Sequence, residues 1–324
     1  MNFRKTLTIT SATLLALSLV ACSSDEPEAA AEGELDQLTV GVIPIAAYAA
    51  IPYGIEHGIF EEHGLEVTAQ ASSGGAEMLP ALQTGDMDVV IGNVSNLLLA
   101  VDQGLDMRVV SGYQQSLPEG HDVNGVVVKA DSGIETWADL EGAEVAVNAL
   151  RGQGDLTIME SVDQDGGDPE RVNFVELNFP DMESQLERGN VDAVWLPEPF
   201  LHNALESDGY KLLGHPNQII SGMPTVVSFV TGDLVDENPE LVERYQAALD
   251  ETLTAFASDE EGAMEAVMEF MDAPKEVAEI ASELESHDAA IPTKQIEELA
   301  ELMVKYGFVE ENPISDGFFF GSSQ

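Results

Sequence analysis

The stretches MLPALQTGDMDVV (78–90) and MESQLERGNVDAV (182–194) lie 104 residues apart and share Met, Leu, Gly, Asp and Val at matching places. In each copy a helical pattern runs into a glycine, Gly85 or Gly189, and a short Val-rich run follows. Glycine there supplies the left-handed conformation that ends a helix, and the apolar run reads as a buried strand. The same offset carries TVGVI (39–43) onto AEVAV (143–147), so one α/β design is written twice. Working outward, strands are predicted at 38–43, 65–70, 88–92 and 107–113, with helices at 47–57, about 75–83, and 95–103. Such alternation argues βαβ units and a largely parallel sheet in each half.

Two doubly wound lobes place their ligand-contacting loops at the carboxyl ends of the strands. If those ends face each other, the cleft between the lobes is the site. After VVSFVTG (226–232) the pattern turns helical, at 239–257, 262–271, 275–283 and 293–306, with Pro239 and Pro274 marking two of the starts. This tail is expected to pack on the first lobe. The chain then crosses between lobes twice, near 113–124 and 221–224, making a hinge of two strands. The expected division is 37–113 plus 225–324 for the first lobe and 114–224 for the second.

The 324 residues carry 60 Asp and Glu against 12 Lys and Arg, a formal charge of −48, spread along the chain and not gathered in one block. That balance repels nucleic acid and bare anionic lipid. It reads as a solvated surface suited to a salty medium, where screening suppresses self-repulsion. With 44% apolar residues there is enough to fill the cores of one large domain or two lobes.

At the N-terminus Arg4 and Lys5 precede an apolar run at 7–19, too short and wrongly flanked for a membrane span, so 1–21 reads as a secretory signal. Leu19-Val20-Ala21-Cys22 resembles the lipobox of bacterial lipoproteins, in which the chain is cut before the cysteine and the thiol takes a diacylglycerol. Cys22 would then anchor the protein to the membrane, with 22–36 as an acylated, acidic linker. A core role for Cys22 would need apolar neighbours that 23–36 lack. As the single cysteine it leaves no internal disulfide, no Cys-based metal site and no spare thiol nucleophile.

SSGG (72–75), TGDMDVVIGNVSN (84–96) and VDAVWLPEPF (191–200) resemble the substrate-binding lipoproteins of ABC importers, within them the nitrate, sulfonate, taurine and thiamine-precursor group. The resemblance covers most of 37–310 and rests on the order and spacing of the motifs. It implies an α/β, bilobal type II periplasmic-binding fold: two doubly wound lobes joined by a two-strand hinge, with the helical tail on the first. It also implies capture of a small nitrogen- or sulfur-containing solute by hinge closure, and delivery to an ABC permease and its ATPase at the outer face of the cytoplasmic membrane. A monomer without metal or cofactor is expected.

The same loops have physical reasons of their own. Ser72, Ser73 and Gly74 precede a helix, where hydroxyls and backbone N–H groups at the positive helix end meet an anionic or carbonyl oxygen or else simply cap the helix. Asn93 and Ser95 stand likewise before the next helix. In the second lobe NALRGQGD (148–155) follows a strand, which puts Arg151, Gln153 and Gly154 at the cleft. Arg151, a rare cation in this chain, suits bidentate capture of a sulfonate, carboxylate or phosphate, or a surface ion pair. Trp195 stacks on a ligand or fills the core, Glu198 between two prolines accepts from an ammonium or amino group, and Tyr48 adds an aromatic wall. Arg151 with Glu198 suits a zwitterion such as an aminosulfonate; Glu198 with Trp195 and Tyr48 suits an aminopyrimidine. The residues leave both open, the sulfonate or taurine-like solute standing first.

Enzyme classes have less support. The six histidines form no HExxH and no clustered ligand spacing, no G-x-S-x-G elbow occurs, and Gly152-Gln153-Gly154 lacks the third glycine of a dinucleotide fingerprint. Pyrimidine-synthesising relatives of the fold use histidine and a Cys-rich stretch, and this chain has no Cys beyond Cys22. Binding without catalysis is the expectation.

Overall fold

The structure, a computed structural model, describes residues 35–321 apart from 73, 273, 276–277 and 280–285. The expected signal, Cys22 and its linker up to 34, Ser73 and most of the helix expected at 275–283 lie outside the described residues. No helix among the described residues is long and apolar enough to cross a membrane.

The first half contains β1 (Asp36–Val42), α1 (Ala50–Glu56), α2 (Ile59–Glu62), β2 (Leu65–Ala71), α3 (Gly75–Thr84), β3 (Val89–Gly92), α4 (Val94–Asp102) and β4 (Met107–Gln115). The second contains β5 (Asn124–Lys129), β6 (Glu144–Val147), α5 (Gln153–Gln164), β7 (Asn173–Glu176), α6 (Phe179–Arg188), β8 (Ala193–Pro197), α7 (Phe200–Leu205) and β9 (Tyr210–Gly214). The chain then adds β10 (Pro224–Thr231), α8 (Gly232–Glu237), α9 (Pro239–Ser258), α10 (Glu260–Met271), β11 (Ser286–His287) and α11 (Thr293–Lys305).

Two sheets result, ordered β11-β4-β10-β3-β1-β2 and β7-β6-β8-β5-β9. Only part of each is parallel, against the largely parallel sheets expected: β1 runs parallel with β2 and β3, and β6 with β7 and β8. The strand that returns from the other half enters antiparallel, β10 beside β3 and β5 beside β8. Helices cover both faces, which is why β3 and β8 are apolar and buried throughout.

The duplication is visible in hydrogen bonds. Asp88 accepts the Thr39 N–H on Oδ2 at 2.8 Å and donates its own N–H to the Thr39 carbonyl at 2.9 Å. Asp192 repeats both bonds with Glu144, at 2.9 and 2.8 Å. Thr39 and Glu144 are 105 residues apart, so the first strands are matched one residue away from the sequence offset. The second copy is one residue shorter between strand and aspartate. Gly85 and Gly189 end α3 and α6 at φ 77° and 71°, the left-handed region that glycine enters without strain.

The crossings run through 116–123 and 215–223. The tail departs from expectation at its end: α8, α9 and α10 pack on the first half, but α11 packs on both α4 and α5. Leu156 of α5 shares a buried cluster with Ile296, Leu299 and Met303 of α11 and with Ile220 and Met223 of the second crossing. Lys305 Nζ donates to Glu160 at 2.6 Å and Asp163 at 2.7 Å, and the Tyr306 hydroxyl donates to Glu160 at 2.6 Å. Burial opposes the charge on Glu160, yet these donors hold its carboxyl below the usual range. A third connection therefore joins the halves, because α11 carries an apolar face wide enough for both.

Candidate functional site

A cavity of about 140 Å³ lies where the carboxyl ends of the strands converge. The first half lines it with Ile43, Ile45, Ala47 and Tyr48 after β1, Gly74, Gly75 and Met78 at α3, and Asn93 and Asn96 at α4. The second half supplies Asn148, Gln153, Phe179, Trp195, Pro197 and Glu198. The crossing strands add Gln114, Val123, Asn124, Thr225 and Val226. Lining residues thus stand at or next to the first turns of α3, α4, α5 and α6, whose unpaired N–H groups carry a partial positive charge.

The walls are aromatic. Phe179 stands 5.9 Å from Trp195 between ring centroids and 5.8 Å from Phe200, and Tyr48 lies 6.4 Å from Tyr113. Burial pushes the Tyr48 phenol above its ordinary pKa, so it stays a neutral donor. Glu198 is the one charged side chain among the described lining residues, and it is 7% exposed. Burial raises its pKa above the usual carboxylate value, opposed by the His202 N–H that it accepts at 3.1 Å and by the His202 side chain.

Amides fill the polar positions. Asn93 Oδ1 accepts the Ser95 N–H at 2.9 Å and so caps α4, while Nδ2 donates to the Thr225 carbonyl at 3.1 Å and, across the halves, to Gln153 Oε1. Gln114 Oε1 accepts from Thr225 Oγ1 at 2.7 Å. Gln114 Nε2 and Trp195 Nε1, buried donors on lining residues, find no acceptor among the described residues.

Tyr48, Gly74, Asn93, Trp195 and Glu198 come together at the cavity, with Gln153; four other candidates lie elsewhere. The Ser72 hydroxyl donates to Glu77 at 3.0 Å, and Ser95, in the first turn of α4, is buried with no part in the lining. Gly154 packs beneath the site: a Cβ there would meet Trp195 Cδ2 and Val147 Cγ1 at 3.0 Å. Arg151 also lies off the cavity wall. It adopts φ 59°, its N–H is held by Asp155 at 2.6 Å, and its guanidinium donates to the carbonyls of Gly307, at 3.4 Å, and Phe308. Its charge thus meets the carbonyls that follow α11, where a cation is favoured, and not the cavity. Gln114, Asn124, Phe179 and Thr225 were missed; polar residues within the crossing strands, as in YQQ at 113–115, were the available signal.

Two mixed α/β sheets with a polar, aromatic cavity between them define a bilobal periplasmic-binding fold. The chain belongs to the NMT1/THI5-like family, whose profile matches residues 46–263. It is 27% identical over 227 residues to an ABC transporter periplasmic binding protein of Brachyspira hyodysenteriae, a match covering 65% of this chain and 63% of the relative. It is 23% identical over 190 residues to the formylaminopyrimidine-binding protein of Halalkalibacterium halodurans, covering 59% and 56%. The chain thus spans less than two thirds of the length of either relative. In fold it resembles the alkanesulfonate-binding protein SsuA from Xanthomonas axonopodis pv. citri bound to MOPS. The TM-score is 0.75 at 17% identity, over 90% of this chain and 99% of that one.

Proposed function

We propose that this protein is the extracytoplasmic solute-binding component of an ABC importer, and that its solute is a small amino-substituted heteroaromatic such as an aminopyrimidine. One observation carries the choice of solute: Glu198 is the only charge on the described cavity wall, set among Tyr48, Phe179 and Trp195 with no Lys or Arg beside it. A desolvated carboxylate recognises an amino group and repels an anion. The size agrees, since an apolar cavity of about 150 Å³ accommodates benzene. The formylaminopyrimidine-binding relative supports the reading.

A second reading, a zwitterionic aminosulfonate, is favoured by the helix N-termini, which suit an oxyanion, while Glu198 takes the ammonium. In either case the solute touches both lobes and stabilises their closed form, which a permease with its ATPase recognises. The protein acts as a monomer held by an acylated Cys22, without chemistry of its own. Radiolabelled palmitate incorporated by the wild type and not by Cys22→Ser checks the anchor.

A thermal-shift panel of aminopyrimidines, taurine, alkanesulfonates and nitrate tests the solute. Saturation at about a hundred times the dissociation constant adds about 2.7 kcal/mol, a shift of several degrees. Glu198→Gln is expected to weaken aminopyrimidine binding at least about tenfold, and wild-type affinity to fall as pH drops through the raised Glu198 pKa, because protonation removes the negative charge that strengthens the bond to the amino group. A shift with alkanesulfonates or nitrate alone, unaltered in Glu198→Gln, would refute the assignment.

A further inference from the structure

Asn217 lies in the second crossing, in the 3-10 turn Pro216–Ile219, fully buried and outside the cavity wall. Its Nδ2 donates toward Ser116 Oγ and Asp122 Oδ1 at 3.1 Å each and Asn124 Oδ1 at 3.0 Å. Its Oδ1 accepts from Gln153 Nε2 at 2.9 Å. Ser116 and Asp122 belong to the first crossing, so this one amide ties the two crossings together and reaches two cavity residues, Gln153 and Asn124.

The direction of every amide follows from Asp122. This buried side chain also accepts the Asn124 N–H at 3.1 Å, and a carboxylate only accepts. Asn217 must therefore turn its NH₂ toward Asp122 and its carbonyl toward Gln153. Gln153 in turn spends Nε2 on Asn217 and keeps Oε1 for the cavity side, where Asn93 Nδ2 meets it. Asn93 is itself fixed, since its Oδ1 caps α4. Asn124, with Oδ1 engaged by Asn217, has its NH₂ left for the cavity. Reversing Asn217 would set NH₂ against NH₂ at Gln153 and oxygen against oxygen at Asp122.

We infer that Asn217 is a positioning residue for solute recognition: it makes Gln153 offer an oxygen acceptor and Asn124 an NH₂ donor, and so sets which hydrogen-bonding edge a solute must present. This rests on the reading of the cavity as the solute site. The solute edge facing them carries a donor for Gln153 and an acceptor for Asn124.

The test is a double-mutant cycle on the full-length chain, with Asn217→Ala, Gln153→Ala and the pair titrated calorimetrically with 4-aminopyrimidine and their folding checked by thermal melts. Asn217→Ala is expected to weaken binding about tenfold alone and less than about threefold in the Gln153→Ala background. Equal losses in both backgrounds would reduce Asn217 to packing and overturn the inference. If wild type fails to bind 4-aminopyrimidine, the solute class falls and a crystal structure of Asn217→Ala decides the positioning role. A displaced Gln153 amide supports it; Gln153 and Asn124 side chains unmoved reject it.

Discussion

Gly154 and Arg151 stand three residues apart in NALRGQGD (148–155), a stretch whose place after a strand points to the cleft, and neither lines the cavity. A Cβ at Gly154 would meet the Trp195 ring and Val147 at 3.0 Å, so either neighbour has to give by a few tenths of an ångström. Gly154→Ala presses on the indole, so aminopyrimidine affinity is expected to fall by up to about tenfold with a shift in tryptophan emission. Unchanged emission and affinity together would show that the ring is not confined there. Sequence displays the glycine but not the side chain that approaches it. The surroundings of Arg151 are hidden from sequence for a related reason: its carbonyl partners are 156 and 157 residues away, beyond any local pattern. Tyr48, Asn93 and Glu198 were easier to place at the strand ends, because they follow short, wholly apolar runs that stop just before them.

Among elements, the strands and the glycine-stopped helices α3 and α6 were legible, since a two-residue or 3.6-residue period survives in a single sequence. The helix expected at 47–57 breaks instead into a 3-10 turn at Ala46–Tyr48 and α1, in which Pro52 lacks an N–H. Gln114, Asn124 and Thr225 stayed hidden because a polar residue in a crossing strand has no periodic mark. The first turn of α5 yields a pH prediction. Burial pushes the Asp155 carboxyl up to about 6 from 3.8, although the N–H groups of Arg151, Gly152 and Leu156 oppose this. A raised folded pKa means the native state holds the proton more tightly. Its contribution is therefore greatest below about pH 4 and lost as pH rises through about 6, by up to about 3 kcal/mol. Melting temperatures from pH 4 to 7 are expected to show a flatter slope in Asp155→Asn than in wild type; parallel slopes would rule out this group.

At the scale of the molecule, α11 converts a two-strand hinge into a joint with three connections. Lys305→Met leaves Glu160 and Asp163 without their cation and is expected to lower the unfolding free energy by about 1 kcal/mol in urea titrations. Because the contact bridges the halves, amide hydrogen exchange should quicken in α5 as well as in α11. Faster exchange in α11 alone would mean that the ion pairs do not couple them.

The placing of β10 between β3 and β4 has a consequence for how the chain is made. While the protein is being synthesised, β3 and β4 emerge early, yet the strand that separates and pairs them follows roughly a hundred residues later, after the whole second sheet. Until then two apolar edges stand open, each a template for pairing with another chain. A nascent chain in this condition has no finished first lobe to fold into. Delayed folding of this kind fits the extracytoplasmic role proposed above, since a chain carried through a membrane stays unfolded on the way.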